Sequence, residues 1–218
     1  MRLTLSFDNG PDPDVTPRVL DVLDRRGVRA QFWVLGKHVA TTAGRACVER
    51  AHAAGHVVGN HSYSHETPLG DDPRPDAAAR EIGAAQDLLE PLVGAARRFR
   101  PFGGGGVLGP HLFSRAAVEL LRDGGYTCVL WNSVPRDWED PTRWPARALA
   151  ELAVRAHTLV VLHDIAGACL PELDAFLDEV AARGVELTTD DPPDCTPLVA
   201  GRITGEPPLG PLVRGGYA

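Results

Sequence analysis

Apolar residues along the chain alternate between two kinds of run. Short, nearly continuous stretches occur at Leu3–Phe7, Ala30–Leu35, His56–Asn60, Arg98–Phe102, Tyr126–Asn132, Thr158–His163 and Val185–Thr188. Between them lie longer segments with apolar positions at helical spacing. The first of these begins at Thr16-Pro17, carries Val19, Leu20 and Leu23, and stops at Gly27. Others cover Thr42–Ala54, Asp76–Val93 (with Ile82, Leu88 and Leu89), Pro110–Asp123, Trp144–Ala156 and Pro171–Arg183. A helix opened by Thr-Pro and closed by Gly has start and stop chemistry as well as periodicity. Seven strands separated by helices predict a parallel sheet, because parallel neighbours need crossover connections. The apolar strands suit a sheet covered on both faces. Periodicity does not choose between a barrel and an open doubly wound sheet. Residues 191–218, with Pro192, Pro193, Pro197, Pro207, Pro208 and Pro211, read as an irregular Pro/Gly-rich tail after a domain spanning 1–190.

Composition adds exclusions. The 218 residues carry a net charge of −7, a poor match to the clustered positive charge that nucleic-acid binding requires. No apolar run is long enough for a transmembrane helix, so no membrane partner is expected. Cys47, Cys128, Cys169 and Cys195 are far apart and form no Cys-x-x-Cys pair, as expected of reduced structural thiols. The start Met1-Arg2-Leu3-Thr4-Leu5-Ser6-Phe7-Asp8 reads as a strand rather than a secretory leader, giving a cytoplasmic expectation.

The polar residues collect just after predicted strands. Asp8-Asn9-Gly10-Pro11 follows the first, His61-Ser62-Tyr63-Ser64-His65 the third, Arg100-Pro101-Phe102-Gly103 the fourth and Asp137-Trp138 the fifth, and His163-Asp164 closes the sixth. In parallel α/β folds the loops at the carboxyl ends of strands converge on one face, where sites are built. His61 and His65, at i and i+4, would share a face on a helical turn, close enough for one metal ion. Each motif also has a bland reading. Asp8 before Asn-Gly suits a turn carboxylate, Arg100 a surface pair, and His163 a hydrogen-bonded core residue. Five loaded loops on the same side of their strands argue against all the bland readings holding together.

In order and spacing these motifs resemble the polysaccharide deacetylase family, the NodB-homology carbohydrate esterases. Ser6-Phe7-Asp8-Asn9-Gly10-Pro11, His61-Ser62-Tyr63-Ser64-His65, Arg100-Pro101-Phe102-Gly103, Asp137-Trp138 and Val160-Val161-Leu162-His163 carry the resemblance across residues 3 to 190. It implies an α/β fold, a distorted (β/α)7 barrel. It also implies hydrolysis of an N-acyl group from an amino sugar or oligosaccharide, with a divalent metal (zinc first, cobalt or nickel otherwise). By resemblance Asp8 is the general base, His163 the general acid, Asp137 the group that orients it and Arg100 the cation pairing with the base. Asn9, His61 and His65 fall at the metal positions. Phe102, Gly103, Trp131, Trp138 and Tyr63 fall on the substrate side, with aromatic rings available for sugar stacking.

The chain departs from the family pattern at three places. Asn9 stands where the family has a ligating aspartate, which predicts weaker or altered metal binding. It leaves open a catalytically impaired carbohydrate-binding barrel or a metal-independent amidohydrolase, and Asn9-Gly10 is also a deamidation-prone pair. Gly103-Gly104-Gly105-Gly106 replaces the usual Tyr-Gly, with a phosphate-binding loop as the rival reading. Val134 stands where a first aspartate is expected. The acylated substrate and the oligomeric state are not specified by the sequence.

Overall fold

The computed structural model describes residues 1–217. The strands are β1 (Arg2–Asp8), β2 (Gln31–Val34), β3 (Val57–Asn60), β4 (Arg98–Phe99), β5 (Thr127–Cys128), β6 (His157–His163), β7 (Glu186–Thr188), β8 (Leu198–Val199) and β9 (Arg202–Ile203). The α-helices are α1 (Thr16–Arg25), α2 (Gly36–Val39), α3 (Thr42–Ala53), α4 (Ala84–Val93), α5 (Arg115–Asp123), α6 (Trp144–Leu152) and α7 (Leu170–Ala182). The sheet runs β6-β1-β2-β3-β4-β5-β8-β9, with β7 also on β1. All seven expected strands pair in parallel. The sheet curls far enough for Ser133, beyond β5, to bridge Val160 of β6. This is the distorted barrel expected from the motifs.

Several boundaries differ from the expectations, each for a local reason. The fifth strand keeps regular pairing only over Thr127–Cys128 because its next residues change partner. Leu130 N–H donates to the Cys195 carbonyl (2.7 Å) and Ser133 N–H to that of Leu159 (3.2 Å). The predicted Pro110–Asp123 helix starts later, at Arg115, where Ser114 caps it by accepting from the Ala117 N–H (3.2 Å). The long 76–93 segment is broken into a π-turn, Ala79–Gly83, followed by α4. Residues 191–217 add the antiparallel β8–β9 pair to the sheet edge, and Cys195, Leu198, Leu209, Leu212 and Val213 are buried in the core beside α5. The four cysteines are free and buried. No described helix is long and apolar enough to cross a membrane.

Register brings the motifs together. Asp8, the last residue of β1, pairs with Trp33 on one side and His163 on the other. Asn60 pairs with Phe99, so the loops after β3 and β4 leave the sheet side by side.

Candidate active site

Asp8 ends a seven-residue strand whose other residues are almost all buried, so its carboxylate is carried to the barrel mouth from a rigid base. Arg100 follows β4 and is fully buried. Its Nη1 donates to Asp8 Oδ1 and to Ser6 Oγ, both at 2.7 Å, and its guanidinium lies 4.4 Å from the Trp33 ring. A buried guanidinium needs such partners, because its charge has left water. Burial pushes its pKa down from the ordinary arginine value, against the pull of Asp8.

His163 lies beside Asp8. Its Nδ1–H donates to Asp137 Oδ1 (2.8 Å), and its backbone N–H donates to Asp137 Oδ2 (2.8 Å). The carboxylate fixes the tautomer, leaving Nε2 for the cavity. Burial opposes charge on the ring, but the hydrogen bond and charge of Asp137, with help from Asp8 and Asp164, carry its pKa above the usual imidazole value. Trp138 meets the ring edge-on at 4.8 Å.

His61 and His65 come together, but not on a helical turn. Ser62 (φ 75°) and His65 (φ 57°) are left-handed, and the residues between the imidazoles bend back on themselves. The ring centroids are 5.2 Å apart. The loop is secured by Glu81, a buried carboxylate on the π-turn. It accepts from the N–H groups of Tyr63 (3.1 Å) and Ser64 (2.8 Å) and from Ser64 Oγ (2.8 Å). Asn60 adds a bond from Ser62 N–H to its Oδ1 (2.9 Å). Glu81 was not among the expected site residues. Its signal in the sequence is a carboxylate beside Ile82 on the apolar side of a helix. π-turns recur at functional sites.

His61 Nδ1 faces the Arg100 carbonyl (2.9 Å), so its Nε2 points to the cavity, 3.5 Å from Asp8 Oδ2. His65 stacks on Phe102, with centroids 3.8 Å apart. Burial, reinforced by Arg100 for His61 and by His61 for His65, lowers both pKa values to about 3. Both rings are therefore neutral, the form that ligates metals. Asn9, at φ 74°, lines the same cavity, and its buried Oδ1 has no hydrogen-bond partner. Two neutral imidazoles and a free amide oxygen fit a divalent cation. Among the described residues no cluster of three or more His, Cys, Asp or Glu could hold one, since the third donor is an amide.

The cavity measures about 330 Å³ and is lined by Asp8, Asn9, His61, His65, Phe102, Gly103, Trp131, Trp138 and His163, among others. Arg100 and Asp137 stand directly behind it. Tyr63 does not line it, because its ring lies against Gly36 at the start of α2. The tetraglycine tract forms a 3-10 turn, Gly104–Gly106, well before the first residue of α5. No helix N-terminus follows it directly, so the anion-loop reading lacks its structural basis. Gly106 has φ 89°, and a Cβ there would sit 2.7 Å from Val134 Cγ1. The two departures, glycine tract and Val134, are thus one packing unit.

Behind the first turn sits Asp164, fully buried. Its Oδ2 accepts from Thr16 Oγ1 (2.5 Å), and Gly10 packs so close that a Cβ would fall 2.2 Å from the carboxylate. Burial raises its pKa to about 7.

The polysaccharide deacetylase family model matches residues 2–129. The chain belongs to the polysaccharide deacetylase family. It is a hydrolase of that family, acting on amide bonds. A chitooligosaccharide deacetylase of Rhizobium leguminosarum bv. trifolii is 33% identical over 163 residues, 73% of this chain and 70% of the relative. A peptidoglycan-N-acetylglucosamine deacetylase of Bacillus cereus is 28% identical over 164 residues, 74% of this chain and 72% of that one. Among solved structures, a family 4 acetyl xylan esterase from Clostridium thermocellum in complex with a cobalt ion superposes with TM-score 0.69. It is 27% identical and covers 86% of this chain and 87% of its own.

Proposed function

We propose that this deacetylase removes an acetyl group from the nitrogen of an amino sugar within an oligosaccharide, using a divalent cation held by His61, His65 and Asn9. The supporting observation is the facing pair at the cavity floor: Asp8, salt-bridged to Arg100, and His163, backed by Asp137. A divalent cation, zinc by preference, would supply Lewis acidity to the acyl carbonyl. Asp8 takes a proton from the attacking water. His163, whose pKa is raised by Asp137 so that its protonated form is favoured, gives a proton from Nε2 to the departing amine, the step an amide most needs. Arg100 compensates the Asp8 charge in a place without bulk water. Phe102 orients His65. Trp131, Trp138 and the Gly103 backbone form the wall against which the sugar lies.

Acetate release from N-acetylglucosamine oligomers tests this reading. Release should require added zinc or cobalt after chelation and should fall at least a thousandfold in Asp8→Ala, the order expected when base catalysis is lost with its positioning. Sugar binding without any acetate release, with metal supplied, would replace it with a binding barrel impaired at Asn9. Release unaffected by chelator would point to a metal-independent amidohydrolase.

A further inference from the structure

A column of polar contacts runs down the barrel interior from the reaction cavity. Gln31 and Trp33 stand on the same face of β2, as alternate residues of a strand do, and both are fully buried. Two guanidinium groups lie over the Trp33 ring, that of Arg100 at 4.4 Å and that of Arg98 at 5.6 Å. The ring is fixed at its edge. Its indole N–H donates to Gln31 Oε1 (3.2 Å), and Gln31 Nε2 donates in turn to Asp191 Oδ1 (2.8 Å) and to the Thr189 carbonyl (2.9 Å). A Cβ on Gly59 of β3 would fall 2.4 Å from Trp33 Cζ3, so the ring fills the space over that glycine. Gln31 opens β2, whereas Asp8 closes the parallel strand β1. Asp191, which follows β7, therefore reaches this column from the end of the barrel away from the cavity.

Arg100 depends on the ring. Its Nη1 is held by Asp8 and Ser6, and its Nε donates to the Val129 carbonyl (3.3 Å). Its Nη2 is buried and has no hydrogen-bond partner among the described residues. A buried cation short of acceptors gains from an aromatic face, and the face of tryptophan is the strongest. The tilt of the guanidinium decides how Nη1 meets Asp8 Oδ1, and so where Oδ2 points, 3.5 Å from His61 Nε2. A phenylalanine would also fill this space, but it has no N–H for Gln31 to aim. We propose that Trp33 is a positioning residue for the reaction: its face locks Arg100 on Asp8, while Gln31 and Asp191 hold the ring. The segment after β7 is thereby tied to the cavity through side chains alone. The kinetic arm of the test rests on the reading of Asp8 as the base.

Acetate release by the metal-loaded enzyme from N-acetylglucosamine oligomers gives kcat and KM, and arginine side-chain NMR reads Arg100 without turnover. Trp33→Leu should lower kcat about a hundredfold at unchanged KM, the scale of a misplaced reacting group. Phe32→Leu, in the separate apolar cluster on the other face of β2, should lose a comparable melting temperature and keep its kcat. Gln31→Met should lower kcat about tenfold and Asp191→Ala about threefold, as smaller misplacements of the same group. In the Trp33→Phe background neither change should lower kcat further, because the N–H through which they act is gone. Should Trp33→Leu fail to fold, this cycle decides alone. In the native protein Arg100 should show two slowly exchanging Nη signals, which merge in Trp33→Leu and Gln31→Met. Equal loss of kcat from Gln31→Met in both backgrounds, or a kcat in Trp33→Leu no lower than in Phe32→Leu, overturns the proposal. Arg100 signals that respond to Trp33 and Gln31 in a protein releasing no acetate sustain the positioning and overturn the catalytic reading. Acetate release with Arg100 signals already merged in the native protein does the reverse.

Discussion

At the level of single residues, the site separates groups by charge. His61 and His65 are stripped of charge by burial, while His163, itself buried, has a raised pKa because Asp137 holds its Nδ1. The sign follows directly. In the proposed mechanism protonated His163 is the active form, so activity should be lost as pH rises through its folded pKa, above the ordinary imidazole value. Asp137→Asn removes the group that raises it, so the alkaline limb of kcat/KM should move to lower pH, with a fall on the order of a hundredfold at the optimum. A pH profile measures both. Asn9 sets the other prediction at this scale. Its amide oxygen brings no charge, and Asp8 is engaged by Arg100 at 2.7 Å. Asn9→Asp should bind zinc tighter by on the order of tenfold or more, as read by competition with a chelating dye.

Elements place these residues through tethers that are themselves buried. The loop between His61 and His65 depends on Glu81, which accepts three hydrogen bonds. Glu81→Ala leaves two N–H groups and a hydroxyl without their acceptor, at roughly 1–3 kcal/mol for each that stays dry. Its melting temperature should drop by about 2–4 °C per kcal/mol lost, and zinc binding should weaken with it. Glu81→Gln should fall between that variant and the native protein. Asp164 performs the same task for the turn after β1, through Thr16 and the close approach of Gly10. Its folded pKa, about 7, lies above that of an exposed aspartate. The stability it contributes is therefore full below the unfolded pKa and fades as pH rises toward about 7. Asp164→Asn keeps an acceptor for Thr16 without that titration. Its melting temperature should gain on the native protein between pH 5 and pH 8, and parallel melts across that range would show it. A constant gap across the range would contradict the buried-acid account.

For the molecule as a whole, the chain after β7 belongs to the packing. Cys195, Leu198, Leu209, Leu212 and Val213 are buried in the core beside α5, and Asp191 accepts from Arg98 (2.6 and 2.7 Å) and Gln31 (2.8 Å) near the barrel's lower end. At roughly 1.5–3 kcal/mol for each buried aliphatic side chain, those contacts are comparable with the few to fifteen kcal/mol that hold a domain together. Truncation after Asp190 should abolish a cooperative thermal transition, a result calorimetry would show directly.

The sequence by itself determined the seven parallel strands, the helices between them and the five polar loops that follow, because strand and helix periodicities and turn chemistry are local. It also pointed to Asp8, Asn9, His61, His65 and His163, which the structure brings to one cavity. Only the tertiary structure decided how they meet. It bent His61–His65 into a left-handed loop rather than a helical turn and turned Tyr63 toward Gly36. It made Gly106 and Val134 one contact and set Glu81 and Asp164 behind the site. Each of these depends on packing between segments far apart in the chain, where the identity of a neighbour, not the local pattern, fixes the direction of a side chain.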